Sequence, residues 1–326
     1  MEQKTILLTG AAGFIGSVVA QKLLEIGHQV IGIDNLNDYY DVKLKFYRLD
    51  NLKKYPYFHF YHQDIENLSE LQNVFAQHKN IDAILNLAAR AGVRYSMENP
   101  HVYMTTNANA TLNLLEMMRQ HEIKKMVLAS TSSLYAGQPL PFTEKLPVNT
   151  PISPYAASKK AAEMMAYTYH YLFGLDISVV RYFTVYGPAG RPDMSIFRFT
   201  KWIDEGTPIE LFGDGEQSRD FTYVDDIANG TIAAMKPVGY EVFNLGGGRE
   251  PMSMNQVIRS LEKLLGKKAL IDHKPFHKAD ITDTQADISK AKHILGWQPQ
   301  VAMSEGVAKT TEWYLANKTW LKDIKL

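Results

Sequence analysis

The chain has 326 residues, and with 45% hydrophobic and 11% aromatic side chains it can bury a sizeable core spread over about two domains. Lys plus Arg and Asp plus Glu each number 35, so the formal charge of zero offers no broad basic field for nucleic acid or an anionic membrane. Cys 0 excludes disulfides and thiolate metal sites and fits a reducing compartment, and no apolar run approaches the ~20 residues that span a bilayer. A cytoplasmic protein is therefore expected, with no metal, nucleic acid or membrane among its partners.

Met1 to Lys4 lead straight into a first strand ending at Thr9, and Gly10, Gly13 and Gly16 follow it at the mouth of a helix over residues 17–26 that Gly27 stops. Further apolar, β-branched runs at 30–33, 58–61, 83–87, 126–130 and 177–180 alternate with helical patterns, and Ser69 with Gln72 reads as a capping box for the helix after the third run. That alternation predicts an α/β fold with a doubly wound parallel sheet over residues 1–180. From residue 181 to 326 the texture changes to Gly, Pro and aromatic punctuation, which predicts a smaller, less regular α/β domain. The run 242–245 reads as a strand returning to the first domain, so segments near 220–245 are expected to make the boundary discontinuous. There is no internal repeat.

A glycine triplet between a strand and a helix lets backbone N–H groups and the helix dipole approach a pyrophosphate, although the spacing here is GxxGxxG and a tight turn would explain the same residues. Asp34 ends the second strand 24 positions after Gly10, near the ~20-residue offset at which a carboxylate holds the adenosine ribose. A carboxylate there repels a 2′-phosphate and favours NAD over NADP, with Lys43, Lys45 and Arg48 close enough in sequence to soften the preference. Asp64 reads either as a contact for the adenine edge or as a turn residue. Leu87, Ala88 and Ala89 end the fourth run with small residues, suited to a passing cofactor or to packing.

Tyr155 and Lys159, four residues apart, share a helix face. A free phenol titrates near 10, so work as a base at neutral pH needs a shift of roughly three units, about 4 kcal/mol. The Lys159 ammonium and an oxidised nicotinamide together are expected to supply it. Thr131 stands at the C-terminal end of the fifth strand, where such sheets bind ligands, and can bridge substrate and Tyr155.

On Thr9 to Gly16, Asp34 to Tyr40, Ala88 to Arg94, Ser153 to Lys159, Phe183 to Pro188, Gly190 to Met194 and Ser218 to Phe221, the chain resembles the extended short-chain dehydrogenase/reductases over essentially its whole length. Within them it is most similar to the nucleotide-sugar 4-epimerases that act on UDP-glucuronate. The resemblance implies a Rossmann domain whose NAD-binding residues include Phe14, Ile15, Asn35, Ile65, Asn107, Ser130 and Tyr182 besides those above. It also implies a UDP-sugar gripped by Arg94, Arg219 and Asp280, the last in a segment where relatives usually carry a glycine before the acid. An ion pair with Asp220 or Asp225 would explain Arg219 equally well. The implied reaction has Tyr155 deprotonate the C4 hydroxyl while the C4 hydride passes to NAD; the 4-keto sugar then turns over and takes the hydride back on its other face.

A 4-keto glucuronate is a β-keto acid and readily loses CO2, so its carboxylate must be held out of line with the carbonyl, a task for Ser132, Ser133, Thr184 and Arg191. Arg191 as a loop brace is the alternative. The related dehydratases carry an Asp-Glu pair after the catalytic Thr and the decarboxylases a Glu two places after it; Ser132 and Ser133 stand there instead. UDP-glucuronate decarboxylation, neutral UDP-hexose or UDP-N-acetylhexosamine epimerisation and a non-catalytic NAD-binding scaffold stay open behind the epimerase reading. The resemblance implies a homodimer through the apolar stripes over residues 103–119 and 156–173, core packing being the other explanation.

Overall fold

The computed structural model describes residues 2–276 and 281–326. Its first half runs β1 (Thr5–Thr9), α1 (Phe14–Glu25), β2 (Gln29–Asp34), α2 (Val42–Leu52), β3 (Phe58–His62), α3 (Leu68–Gln77), β4 (Ala83–Asn86), α4 (Val93–Glu98), α5 (Pro100–Tyr103), a π-helical turn (Met104–Asn109), α6 (Ala110–Gln120), β5 (Lys125–Thr131), α7 (Pro154–Phe173) and β6 (Asp176–Tyr182). The second half adds β7 (Thr184–Tyr186), α8 (Ser195–Glu205), β8 (Ile209–Phe212), β9 (Ser218–Arg219), β10 (Phe221–Tyr223), α9 (Val224–Ala233), β11 (Tyr240–Leu245), β12 (Met252–Ser253), α10 (Met254–Leu265), β13 (Ile271–Lys274), α11 (Ser289–Leu295) and α12 (Met303–Leu321).

Seven strands form one parallel sheet in the order β11-β6-β5-β4-β1-β2-β3. Side chains alternate across a strand, and both faces of this sheet are covered, so both alternating sets are apolar. Ile6 and Leu8 of β1 enter one core with α1 and α9, whereas Leu7 enters the other with α3, α6 and α7. The chain winds outward from β1 through β2 to β3, then returns to lay β4, β5, β6 and β11 on the other side. The strand order reverses between β1 and β4, and the carboxyl ends of such strands open a crevice there. A third core gathers Tyr186, Phe199, Trp202, Leu211, Tyr223 and Leu261 from β7, α8, β8, β10 and α10.

The helix boundaries follow local chemistry. Ser153 accepts a hydrogen bond from the Ala156 N–H, Pro154 occupies the first helical position, and Gly174 closes α7 in a left-handed conformation. The capping of α3 differs from expectation. Asn67, not Ser69, is the N-cap and accepts from the N–H groups of Ser69 and Glu70, because the turn that Asp64 builds after β3 brings the chain into the helix two residues sooner.

Candidate active site

The strand ends open into a cavity of about 980 Å³ lined from both halves of the chain. At one end its wall is the turn between β1 and α1. Gly10 has φ +72°, and a Cβ there would stand 2.8 Å from the Ala88 nitrogen; a Cβ on Gly16 would stand 2.0 Å from the Gly10 carbonyl oxygen. Both positions therefore require glycine. Gly13 caps α1 with no side chain, so the first N–H groups of the helix lack a side-chain acceptor. Thr9 accepts from the N–H groups of Leu87 and Ala88, each at 3.1 Å, which holds the small residues Ala88 and Ala89 against the cavity.

Asp34 is buried at the end of β2, where its carboxylate accepts from the N–H of Ala12 (3.1 Å) and of Leu36 (2.8 Å). Lys45 Nζ lies 3.9 Å away, and its burial lowers it to about 8. Phe14, Ile15, Asn35, Asp64 and Ile65 complete this end. Asp64 is a turn residue that also lines the cavity: it accepts from the Glu66 N–H and from Asn35 Nδ2 at 2.8 Å. These residues fit a dinucleotide. The three glycines leave a bare main-chain cradle beside a helix N-terminus, and the Asp34 carboxylate faces the same space.

Asn107 stands behind the wall. Its amide accepts from the Arg90 N–H and donates to the Arg90 carbonyl and to Ser158 Oγ, each at 2.9 Å, so it fastens the loop after β4 to α7 and does not face the cavity. Ser130 is on the wall, but its hydroxyl donates to Glu163 at 2.7 Å. Tyr182 presents its ring to the cavity and shares a hydrogen bond with Thr231.

In mid-cavity, Thr131 ends β5 and accepts from the Ser133 N–H at 3.1 Å, starting the tight turn Ser132–Tyr135. Tyr155, in the first turn of α7, has its phenol near enough to the Thr131 hydroxyl for that group to favour the phenolate. Lys159 Nζ is buried one turn later and donates to the Ala129 carbonyl at 2.9 Å. Burial pushes the Tyr155 phenol up, and the Thr131 hydroxyl and the Arg191 charge only partly offset this. Burial also lowers Lys159 to about 8, against the opposing pull of Glu163. The Lys159 ammonium is turned toward Ala129, and the expected shift of the phenol rests on Lys159 and an oxidised nicotinamide together.

Long side chains make the other end. Ser132, Ser133, Thr184, Arg94, Arg191 and Arg219 all line the cavity. Arg94 covers the Phe212 ring at 3.6 Å. Arg219 donates from Nη1 to the carbonyls of Ser218 and Thr282. Asp220 instead accepts from the N–H groups of Gly247, Gly248 and Ala286, and Asp225 lies 3.4 Å from Lys22. Arg191 gives Nε and Nη2 to Asp193 at 3.0 and 2.5 Å. Asp280 lies outside the described residues.

Two lining side chains, Arg198 and Gln217, had no signal that singled them out in the sequence, whereas Tyr39 stands in a segment that carries the resemblance. Arg198 of α8 reaches the cavity 3.6 Å from Glu210, and its buried Nε has no hydrogen-bond partner among the described residues. Gln217 lines the same end. The Tyr39 ring lies 5.6 Å from the Arg191 guanidinium, and the Tyr103 ring stands edge-on to Tyr155 at 6.0 Å. Gly92 allows this, since a Cβ there would come within 2.5 Å of the Tyr39 hydroxyl.

Residues 6–246 match the NAD dependent epimerase/dehydratase family. The chain belongs to that family. As an NAD dependent epimerase/dehydratase it is 60% identical over 320 residues to the UDP-glucuronate 4-epimerase of Thermodesulfobacterium geofontis, covering 98% of this chain and 99% of the relative. Among solved structures it is similar to the UDP-glucuronic acid 4-epimerase of Bacillus cereus in complex with UDP-glucuronic acid and NAD (TM-score 0.89, 38% identity, 96% of this chain and 99% of that one). It is also similar to the UDP-glucose 4-epimerase of Thermotoga maritima with UDP-glucose (TM-score 0.88, 34% identity, with the same coverage of 96% and 99%). NAD is its cofactor.

Proposed function

We propose that this epimerase inverts C4 of UDP-glucuronate to give UDP-galacturonate through a 4-keto sugar. The observation that carries the substrate assignment is the material beside the Thr131–Tyr155 pair: hydroxyls at Ser132 and Ser133 and a guanidinium at Arg191, whose charge reaches Tyr155, where related eliminations need carboxylates. The 60% identical relative of the same name supports it. NAD, which the glycine turn and Asp34 would hold, would supply the acceptor and then the donor of the C4 hydride. Tyr155 Oη accepts the proton of the C4 hydroxyl and gives it back, and Thr131 Oγ1 orients both oxygens. Lys159 keeps its ammonium buried one helical turn on from Tyr155, on the Ala129 carbonyl. Ser132, Ser133, Thr184 and Arg191 hold the C6 carboxylate, and Arg94, Arg219 and Asp280 hold the nucleotide diphosphate, a guanidinium suiting phosphate geometry.

In this reading residues 1–180 bind the cofactor, with segments near 220–245 returning to that domain, and residues 181–326 bind the nucleotide sugar. The pairing of β11 with β6 supports the return. A homodimer belongs to the same reading. On α7, Met164, Tyr167, Tyr171, Leu172 and Phe173 are exposed, Tyr171 to 76%, beside exposed Met97 and Met104, and a second copy would cover this face. The expected stripe on α6 is by contrast mostly core, with Leu114, Leu115, Met117 and Met118 buried. Cytoplasmic location completes the reading, for a chain with Cys 0 and, among the described residues, no helix long and apolar enough to cross a membrane.

The test is NMR of the sugar after incubation with UDP-glucuronate and NAD. Galacturonate signals without CO2 are expected. Xylose signals would point to decarboxylation, and conversion of UDP-glucose alone to a neutral-sugar epimerase. No change with any UDP-sugar would leave a scaffold.

A further inference from the structure

The edge of Arg191 best shaped to take a free carboxylate already holds one. Its Nε and Nη2 donate side by side to the two oxygens of Asp193, at 3.0 and 2.5 Å, the parallel two-bond geometry by which a guanidinium recognises any carboxylate. The two partners are not equally fastened. Arg191 is gripped from other directions: its guanidinium lies 5.6 Å from the centre of the Tyr39 ring, and Nη2 stands 3.5 Å from the Ala91 carbonyl. Its loop is pinned as well, since Arg48 donates to the carbonyls of Ala189 and Gly190 at 2.7 to 3.1 Å. The hydrogen bonds of the Asp193 side chain run, among the described residues, to Arg191 alone, and its side chain is 32% exposed against 19% for Arg191. Arg191 is thus the fixed member and Asp193 the replaceable one.

A mostly buried guanidinium needs a counter-charge at every stage, because an unpaired ion in such a site is strongly destabilised. Resting on the reading above, turnover makes the sugar present both faces to the cofactor, and its C6 carboxylate must release any fixed partner in between. We infer that Asp193 is a stand-in carboxylate that takes the Arg191 fork whenever the sugar's carboxylate is elsewhere. Arg191 then exchanges one carboxylate for another and is never left bare. The exchange weakens the grip on the acid and eases the turning of the ring. A neutral sugar has nothing to exchange and leaves the Arg191–Asp193 pair intact. Asp193 acts through Arg191 and is a positioning residue.

The test uses the full chain with NAD, comparing Asp193→Asn and Asp193→Glu with the unaltered protein. Michaelis parameters are measured on UDP-glucuronate and calorimetric affinities on UDP-glucuronate and UDP-glucose. Removing the competing charge is expected to lower KM for UDP-glucuronate about fivefold and to lower kcat with it, with UDP-glucose affinity unchanged to within about twofold. Asp193→Glu, which keeps a carboxylate, stays near the unaltered protein in all three. A KM that rises, or affinities for the acid and the neutral sugar that move together, would overturn the inference and make Asp193 a brace for its loop. Should Asp193→Asn fail to fold, Asp193→Ser gives the same readout. If the unaltered protein binds UDP-glucuronate without converting it, the epimerase reading fails, while the affinity contrast between the two sugars still decides the role of Asp193.

Discussion

At the glycine end of the cavity the wall is main chain, and at the sugar end it is long side chains sent in from separate segments. Gly10, Gly13 and Gly16 leave no room for a methyl group, whereas Ser132, Arg191, Arg198 and Arg219 come from a turn after β5, a loop, α8 and β9. A main-chain wall allows almost no variation, because any side chain enters the ligand space or the next strand. A side-chain wall can change its ligand without changing the fold. One family can therefore keep a cofactor and vary the sugar.

The largest expected effect separates chemistry from architecture at the centre. Tyr155→Phe should lower turnover by roughly 10³-fold or more, the scale of a lost general acid–base group, while bound NAD and the melting temperature stay as they were; normal turnover would remove Tyr155 from the proton path. Next is the support beneath the side-chain wall. Glu163 is gripped by Arg181 at 2.9 and 2.7 Å, with both side chains almost fully buried, and it also holds Ser130. Arg181→Met strands that carboxylate and should destabilise the protein by about 3–5 kcal/mol in denaturant unfolding.

At the main-chain end, Gly16→Ala tests the cradle. It should lose about 1–3 kcal/mol through overpacking and copurify with little NAD, measured by melting and cofactor content; full occupancy would show that the turn gives way.

A pH experiment sharpens the centre further. Lys159 is lowered to about 8 from an ordinary 10.5, so above about pH 8 the folded chain releases a proton that the unfolded chain still holds. Stability linked to this group is therefore poorest below pH 8 and improves as pH rises toward 10.5. Lys159→Met lacks that gain, so denaturant midpoints of the unaltered protein should rise relative to the variant between pH 7 and pH 10. A constant difference would contradict the buried ammonium. The smallest effect concerns α3: Asn67→Ala should lose about 1 kcal/mol and Ser69→Ala clearly less, since Asn67 accepts the cap hydrogen bonds.

The parallel sheet, the glycine turn with Asp34, and Tyr155 with Lys159 on one helix face were all legible in the sequence. Each is written in short-range terms: an apolar period, a missing Cβ, a spacing of four. The return of Tyr240–Leu245 beside β6 was visible for the same reason, as a buried strand has no other way to pair its backbone. The tertiary structure alone decided which way each polar side chain turned. It aimed Lys159 at Ala129, set Asn107 behind the wall, brought Tyr39 over Arg191 beside Gly92, and closed the Arg191 fork on Asp193. Periodicity assigns a residue to a face, but the partner of a buried polar group is fixed by whichever donors and acceptors distant segments deliver to it, and each must be satisfied together with its neighbours.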